Sequence, residues 1–336
     1  STRRQSVGQD RFAAFDRPWP TFEFELNMRV NPTLTIASNL FARTTTQADR
    51  TIALDRLTPI TTFRPEQPNP DNCFSIVLIT IESLRSDAVR RVHRHERVMP
   101  HVADLANSGV FFPNEYANSS HSDYSDPSIL SSLFPLRSSR QHFYRHGDPW
   151  PKLLAYDFFK QFGYGTAMFS SQNEAWSNMH LFYESPHLDV FCDSRSYNGP
   201  TSNEGGYLSQ WMARTKLAGK LDDATTTARA RAWIEKQRLA GRPFFVAMNL
   251  QTSHFPYVLP SGNTGPYQPS DVNSRTRFLG RDNEPSIALR NAYFNALRYV
   301  DDQIGRVVRY LDKAGLRDRT IIAITGDHGA AFYEDG

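Results

Sequence analysis

The sequence predicts an α/β fold, with a mostly parallel central sheet and helices on both of its faces. Three observations support this prediction. Strand-like apolar runs alternate with helix-like segments from residue 74 onward. The runs are nearly continuous in apolar residues, which is typical of parallel strands buried on both faces. The longest helix-like segment carries one apolar face that can pack on such a sheet.

Before the first strand, residues 1–72 combine several prolines with no sustained hydrophobic period. Residues Thr33–Ala42 are compatible with a short helix. Residues Pro65–Asn72 are compatible with an extended linker, because each proline disfavours helix at the residue before it. We therefore predict an N-terminal arm or juxtamembrane linker over residues 1–72 and a single domain over residues 73–336.

Strands are predicted at runs of apolar, β-branched residues. Helices are predicted at segments with helical spacing of apolar residues that begin at a proline or an acidic residue, several of them closed by a glycine. The predicted strands are Ser75–Ile81, Val110–Phe112, Thr166–Ser170, Pro243–Leu250 and a last strand that begins at Thr320. The predicted helices are Pro100–Asn107, Pro127–Phe134, Pro151–Phe162, Asp222–Leu239 and Ser286–Ala314.

The composition indicates a globular domain that does not bind nucleic acid. Hydrophobic residues make up 39% and charged residues 22% of the 336 residues. The formal net charge is only +3, from 38 Lys and Arg against 35 Asp and Glu. A nucleic-acid-binding face would need a stronger basic excess. The short basic run Arg90–Arg97 is interpreted as a solvated helix end or loop, with attraction of anionic lipid or substrate as the alternative.

Cysteine content and the chain ends bear on the compartment. Cys73 and Cys192 allow two alternatives, one disulfide in an oxidising compartment or two separate thiols. The sequence contains no window long enough to span a membrane and no signal peptide. Because the chain begins with Ser1 and not with Met, we expect a processed product or an excised segment, an origin that allows for a lost membrane anchor.

Asp327 and His328 directly follow the last predicted strand. Open α/β sheets build their sites at the carboxyl ends of their strands. A carboxylate oxygen beside an imidazole nitrogen suits a divalent transition metal. Glu82 follows the first predicted strand in the same way, so these three side chains are candidate metal ligands. The alternatives are a cap with a surface histidine for the first pair, and a cap of the next helix for Glu82.

Two further residues are candidates for chemistry. Ser125 lies just before a proline-started helix, whose N-terminus favours an anion. A metal that lowered the pKa of this hydroxyl would make it a nucleophile. The alternative is an N-cap serine, and Ser122 and Ser128 compete for the same roles. His254 follows a buried strand and can donate to a phosphoryl oxygen or protonate a leaving group, or else it is a structural histidine.

The ordered set of motifs resembles the alkaline phosphatase/sulfatase superfamily over residues 74–336. Residues Ile76–Asp87 resemble the first metal-ligand strand of its membrane-linked branch. Residues Met99–Phe112 are similar to the helix–strand step that follows, and Tyr299–Gly329 to the closing helix and the Asp-His strand. The resemblance implies the superfamily's α/β fold and a bound divalent metal ion.

Within the superfamily, the sequence departs from sulfatases. Ser125 and the proline after it fit the sulfatase Cys/Ser-x-Pro-x-Arg pattern, but Ile129 stands where that pattern needs arginine. Glu82 also stands where sulfatases have paired aspartates. The motifs are more similar to lipoteichoic acid synthases and lipid A phosphoethanolamine transferases. On that resemblance, Ser125 falls on the threonine nucleophile and His254 on a histidine that contacts the substrate phosphate, and we assign Arg85 to substrate binding as well.

The resemblance implies a metal-dependent phosphotransferase or phosphodiesterase that acts on a lipid or glycan headgroup through a phosphoseryl intermediate. The metal ligands would be Glu82, Ser125, Asp327 and His328, with Zn²⁺ or Mn²⁺ ahead of Mg²⁺ or Ca²⁺. It also implies an extracytoplasmic domain, periplasmic or at the cell surface, of a membrane-anchored protein. Because the chain ends soon after His328, we expect the family's C-terminal lobe to be missing. The alternatives are a sulfatase with Ser125 converted to formylglycine, and a non-catalytic lipid-binding or regulatory module.

Overall fold

The computed structural model describes residues 73–132, 152–201, 219–271 and 287–332. The chain divides into two units, one with residues 1–63 and 136–152 and the other with residues 64–135 and 153–336. Apart from Lys152, the described residues belong to the second unit, whose fold is given below. The predicted arm over residues 1–72, with its helix at Thr33–Ala42, lies outside the described residues.

Five of the described strands form one parallel sheet. In chain order the strands are β1 (Ser75–Ile81), β2 (Val92–His93), β3 (Glu96–Arg97), β4 (Gly165–Ser170), β5 (Val190–Cys192), β6 (Phe244–Leu250) and β7 (Thr320–Gly326). The sheet order is β5–β4–β6–β1–β7, and all of its pairings are parallel. Strands β2 and β3 form a separate antiparallel hairpin. Strand β6 is buried along its whole length, as its apolar sequence predicts.

Helices flank this sheet, and the predicted α/β fold class is therefore confirmed. The described α-helices are α1 (Pro100–Ser108), α2 (Ser122–Ser131), α3 (Ala155–Lys160), α4 (Met179–Tyr183), α5 (Asp223–Leu239) and α6 (Ile287–Lys313). The predicted apolar face of α6 is buried, with Leu297, Val300 and Ile304 fully inaccessible. These side chains share one hydrophobic core with those of β1 and β6.

Two predictions about individual elements are wrong. Residues Val110–Phe112 form no strand, and the side chains at both ends of this segment are exposed, with no neighbouring strand to pair with among the described residues. Helix α2 begins at Ser122, five residues before the predicted start at Pro127. The carbonyl of His121 accepts hydrogen bonds from the backbone N–H groups of the third and fourth helical residues, which closes the first turn ahead of the proline.

Other boundaries differ in ways that the hydrophobic pattern cannot reveal. Helix α3 is shorter than the predicted Pro151–Phe162. The hairpin β2–β3, strand β5 and helix α4 were not predicted, because elements of two, three and five residues are too short to show a period. Cys73 and Cys192 are not joined by a disulfide. None of the helices within the described ranges combines the length and the apolar composition needed to cross a membrane.

A buried carboxylate on α6 holds the beginning of α1. Asp301 is fully buried, and its two oxygens accept hydrogen bonds from the backbone N–H groups of His101 (3.0 Å) and Val102 (2.8 Å). The first N–H groups of a helix have no partner within the helix. Asp301 therefore supplies, from another helix, the cap that Met99 at the N-cap position cannot provide.

Substitution of this cap should destabilise the protein. We expect Asp301→Ala to lower the free energy of unfolding by about 1–3 kcal/mol, because two buried N–H groups lose their acceptor. The matched control is Asp302→Ala, which removes an exposed carboxylate and should cost no more than about 0.5 kcal/mol. Urea denaturation measures both values. Equal effects of the two substitutions would contradict the capping role of Asp301.

Candidate metal centre

Two neighbouring parallel strands bring two distant carboxylates together. In the pairing of β1 with β7, Ile81 lies opposite Gly326. The next residue of each strand, Glu82 and Asp327, therefore leaves the sheet at the same edge, and both are 1% exposed. His328 completes the group, and the ligand atoms of the three side chains all lie within 4.8 Å of one another. The structure thus brings together the three residues that sequence analysis proposed as metal ligands.

Hydrogen bonds from one residue hold both carboxylates. The backbone N–H of Ser83 donates to Asp327 Oδ1 at 2.8 Å, and the Ser83 hydroxyl donates to Glu82 Oε1 at 2.9 Å. The side-chain amide of Gln251 donates to Glu82 Oε2 at 3.1 Å. The second oxygen of Asp327, Oδ2, is buried and accepts no hydrogen bond from the residues that the structure describes. A buried carboxylate oxygen without a donor is an unusual feature that a bound cation would explain.

The backbone sets the tautomer of His328. Its Nδ1 lies 2.8 Å from the carbonyl oxygen of Gly329, which can only accept a hydrogen bond. In the neutral ring Nδ1 therefore carries the proton, and the lone pair is on Nε2, which faces the carboxylates at 3.5 Å from Glu82 Oε1 and 3.4 Å from Asp327 Oδ2. A second hydrogen bond of this kind commonly orients a metal-binding imidazole.

The hydroxyl that reaches this group belongs to Ser122. Its Oγ donates to Glu82 Oε2 at 3.1 Å and lies 3.2 Å from His328 Nε2. Ser122 contacts two of the three candidate ligands, Glu82 and His328, because it is the first residue of α2.

Ser125, which sequence analysis assigned to the nucleophile, has a different partner. Its hydroxyl donates to the backbone carbonyl of Ser119 at 3.0 Å. The assignment assumed a helix that starts at Pro127, which would place Ser125 just before the first turn. Since α2 starts earlier, Ser125 lies one turn inside the helix and Ser122 takes the terminal position. The structure therefore brings the hydroxyl of Ser122, and not that of Ser125, to the candidate metal ligands.

The two predicted substrate-binding residues differ in their surroundings. His254 follows β6, and its positive form lies close enough to lower the pKa of Glu82. Arg85 instead forms an ion pair with Asp87 at 2.9 Å and donates to the carbonyl of Ala330 at 3.1 Å. Its guanidinium also lies over the ring of Phe332. Arg85 thus holds the segment after His328, and its contact with a substrate stays a prediction.

The two carboxylates respond differently to their environment. Burial and the neighbouring Glu82 raise the pKa of Asp327 to about 7. Burial acts in the same direction on Glu82, but the charges of His254, Lys220 and His328 outweigh it and lower the pKa of Glu82 to about 2. Near neutral pH and without a metal ion, Glu82 is therefore ionised, whereas Asp327 is ionised in some of the molecules and protonated in the others.

Four oxygen and nitrogen donors fit a divalent metal ion. Glu82 and Asp327 supply carboxylate oxygens, His328 supplies Nε2 and Ser122 supplies a hydroxyl oxygen. This mixed set suits a borderline ion such as Zn²⁺ or Mn²⁺ better than Ca²⁺, which prefers oxygen donors alone. The Oδ2 atom of Asp327, which accepts no hydrogen bond from a described residue, also fits a bound cation.

Sequence analysis missed several polar residues beside the site. Asn249 in β6 donates to Asp126 Oδ2 at 3.1 Å, and Gln251 donates to Asn249 Oδ1 at 2.9 Å. Burial and the carboxylates of Asp327, Glu174 and Glu82 raise the pKa of Asp126 far above its ordinary value. Gln251 and Glu174 follow strands β6 and β4, so the rule that selected Glu82 could have found them. Lys220, which follows no predicted strand, carries no such signal.

Comparisons with known proteins identify the family of the chain. Residues 75–336 of this chain match the protein family described as Sulfatase. The chain is 21% identical over 311 residues to a lipoteichoic acid synthase-like protein of Bacillus subtilis, covering 91% of this chain and 45% of that protein. It is 22% identical over 314 residues to iduronate 2-sulfatase of Homo sapiens, covering 79% and 56%. The chain spans about half the length of these curated relatives.

Solved structures show the same fold. The lipoteichoic acid synthase LtaP from Listeria monocytogenes superposes with a TM-score of 0.59 at 18% identity, covering 84% of this chain and 62% of that chain. The C-terminal periplasmic domain of EcEptC from Escherichia coli, in complex with Zn, superposes with a TM-score of 0.55 at 16% identity, covering 82% and 69%.

Metal binding should release a proton from Asp327 at pH 6 but not at pH 8. A metal ion binds the carboxylate form. With a pKa of about 7, Asp327 is mostly protonated at pH 6 and mostly ionised at pH 8 in the metal-free protein. Calorimetric titration with Mn²⁺ in buffers of different ionisation enthalpy counts the released protons. We expect a larger count at pH 6 and an affinity that falls up to about tenfold per pH unit below 7.

The control for this titration is Asp126→Asn, which removes a nearby carboxyl group whose pKa is raised far above its ordinary value. The pH-dependent release should persist in this variant. An equal proton count at both pH values, or its loss in Asp126→Asn, would exclude Asp327 as the source.

Proposed function

Because the chain belongs to the sulfatase family, we propose that it acts on phosphoesters of lipid or glycan headgroups, with Ser122 as its nucleophile. The observation that carries the proposal is the Ser122 hydroxyl, which contacts Glu82 and His328 at the N-terminus of α2. A hydroxyl in that position lies beside the candidate metal ligands and at a helix end that favours anions. Phosphotransfer to an acceptor and hydrolysis by water share this arrangement.

Two features favour a phosphoester over a sulfate ester. The segment around Ser125 lacks the arginine of the sulfatase pattern, with Ile129 in its place. The Ser125 side chain also donates to Ser119 and not to the candidate ligands. The relatives include proteins named as lipoteichoic acid synthases and a protein named as an iduronate 2-sulfatase. The first group supports a lipid or glycan phosphate as the substrate class.

Residues of the chain can carry out the proton transfers that the reaction requires. The Ser122 hydroxyl donates to Glu82 Oε2, and this carboxylate oxygen takes the proton as Oγ attacks phosphorus. A bond forms between Oγ and phosphorus while the bond to the leaving oxygen breaks. His254 is the candidate donor to that oxygen. An acceptor hydroxyl or water then attacks the phosphoseryl group and regenerates Ser122.

Glu82, Ser122, Asp327 and His328 would hold the metal ion, which supplies stabilisation of the developing negative charge when it is bound. Zn²⁺ and Mn²⁺ remain the proposed ions. The extracytoplasmic location and the membrane surface as a partner are also proposals. They rest on the resemblance to the membrane-linked branch and on a solved relative described as a periplasmic domain.

Exchange of Ser122 tests this proposal directly. We expect Ser122→Ala to reduce turnover of an aryl phosphodiester at least about a thousandfold, because the nucleophile is lost. Ser125→Ala is the matched control from the same helix and should stay within about threefold, since its hydroxyl only meets the Ser119 carbonyl. Steady-state kinetics with Mn²⁺ measures both variants, and calorimetry confirms that both still bind the metal. A larger loss in Ser125→Ala would contradict the assignment.

Mass spectrometry of the peptide that contains both serines identifies the covalent chemistry. The proposal predicts a phosphoryl group on Ser122 after quenching during turnover. Formylglycine at Ser125 would support the sulfatase instead, and an unmodified peptide together with no turnover would support the non-catalytic lipid-binding or regulatory module.

A further inference from the structure

The turn after β1 connects the two carboxylates of the site. Ser83 adopts a left-handed conformation with φ of 55°, which is unfavourable for a residue that is not glycine. In this conformation its N–H donates to Asp327 and its hydroxyl to Glu82. One strained residue therefore fixes the distance between carboxylates from two separate strands. Other contacts must hold Ser83 in this conformation.

Tyr293 of α6 provides such contacts on both sides of the turn. Its hydroxyl donates to the carbonyl of Ser83 at 2.8 Å and accepts from the backbone N–H of Arg85 at 3.1 Å. A phenol is one donor and one acceptor, so both capacities are used. The side chain is 0% exposed. Its ring packs against Tyr257 and Phe332 with centroid separations of 5.2 and 5.1 Å, which fixes the hydroxyl in place.

We propose that Tyr293 is a positioning residue for the metal ligands: through Ser83 it holds the carboxylates of Glu82 and Asp327 at the separation that a single ion requires. The inference rests on the proposed function, because it assumes that these carboxylates bind a metal. Tyr293 donates to none of the candidate ligands, so it acts on them through the turn, by its hydrogen bonds to Ser83 and Arg85. Without its hydroxyl, the Ser83 carbonyl loses its donor and the turn is free to relax.

Close packing at the same turn supports this role. A Cβ on Gly326, the last residue of β7, would lie 2.8 Å from the carbonyl oxygen of Leu84. The turn at Ser83 and the end of β7 are therefore in direct contact just before Asp327. A small movement of the turn would change the position of its N–H relative to Asp327. Outer contacts of this kind commonly affect metal affinity by one to two orders of magnitude.

The test compares two buried tyrosines. Tyr293 belongs to α6, and Tyr267 packs against Phe294 of the same helix. Tyr293→Phe removes the hydroxyl and keeps the ring. Tyr267→Phe is the control, because Tyr267 is 1% exposed, contacts Phe294, and its hydroxyl donates to the distant carbonyl of Arg97 at 3.5 Å. Calorimetric titration with Mn²⁺ measures metal affinity, and urea denaturation of the metal-free proteins measures stability. We expect Tyr293→Phe to weaken Mn²⁺ binding about ten- to a hundredfold and Tyr267→Phe to leave it within about twofold.

A merely structural tyrosine would change stability without changing metal affinity. Wild-type affinity for Mn²⁺ in folded Tyr293→Phe would therefore overturn the inference and leave the proposed function intact. Absence of Mn²⁺ binding in the wild-type protein would overturn the proposed function itself. If Tyr293→Phe does not fold, Ser83→Ala tests the next contact in the same series. It keeps the backbone N–H but removes the bond to Glu82, so we expect a severalfold weaker affinity, and an unchanged affinity would overturn the inference.

Discussion

The parallel pairing of β1 with β7 is the constraint on which the candidate site depends. Their register places Ile81 opposite Gly326, so that Glu82 and Asp327 emerge side by side from two strands at opposite ends of the described chain. A shift by one residue would turn one of the two side chains to the other face of the sheet. Gly326 allows the pairing to continue to the strand end, because a larger residue would collide with Leu84.

This arrangement creates an electrostatic conflict that the surrounding residues resolve only in part. Two buried carboxylates repel each other, and burial disfavours the charged form of both. Glu82 keeps its charge because Lys220, the two nearby histidines and the Ser83 hydroxyl lower its pKa to about 2, whereas Asp327 retains a proton up to a pH of about 7. Among the described residues, no group donates a hydrogen bond to Asp327 Oδ2. A divalent cation between the two carboxylates would satisfy that oxygen and remove the repulsion, which explains why the fold tolerates the pair.

The sequence was sufficient to predict the sheet, the long helix α6 and three of the side chains that meet at the site. Each of these follows from a local pattern: a buried strand followed by an acid, or an apolar helical period. The choice between Ser122 and Ser125 was not accessible in this way, because it depends on where α2 begins. Pro127 suggested that the helix begins there, but α2 begins five residues earlier, at Ser122. The role of Tyr293 was not accessible from the sequence either, since it depends on the tertiary contact of its hydroxyl with Ser83.

The central claim is that Glu82, Asp327, His328 and Ser122 together form one metal centre. Anomalous diffraction from crystals of the protein grown with Zn²⁺, measured on both sides of the zinc absorption edge, tests it most directly. The account predicts a strong anomalous peak within bonding distance of the two carboxylates, of His328 Nε2 and of Ser122 Oγ. A zinc peak bonded to Ser125 in place of Ser122, or the absence of a peak between Glu82 and Asp327, would contradict it.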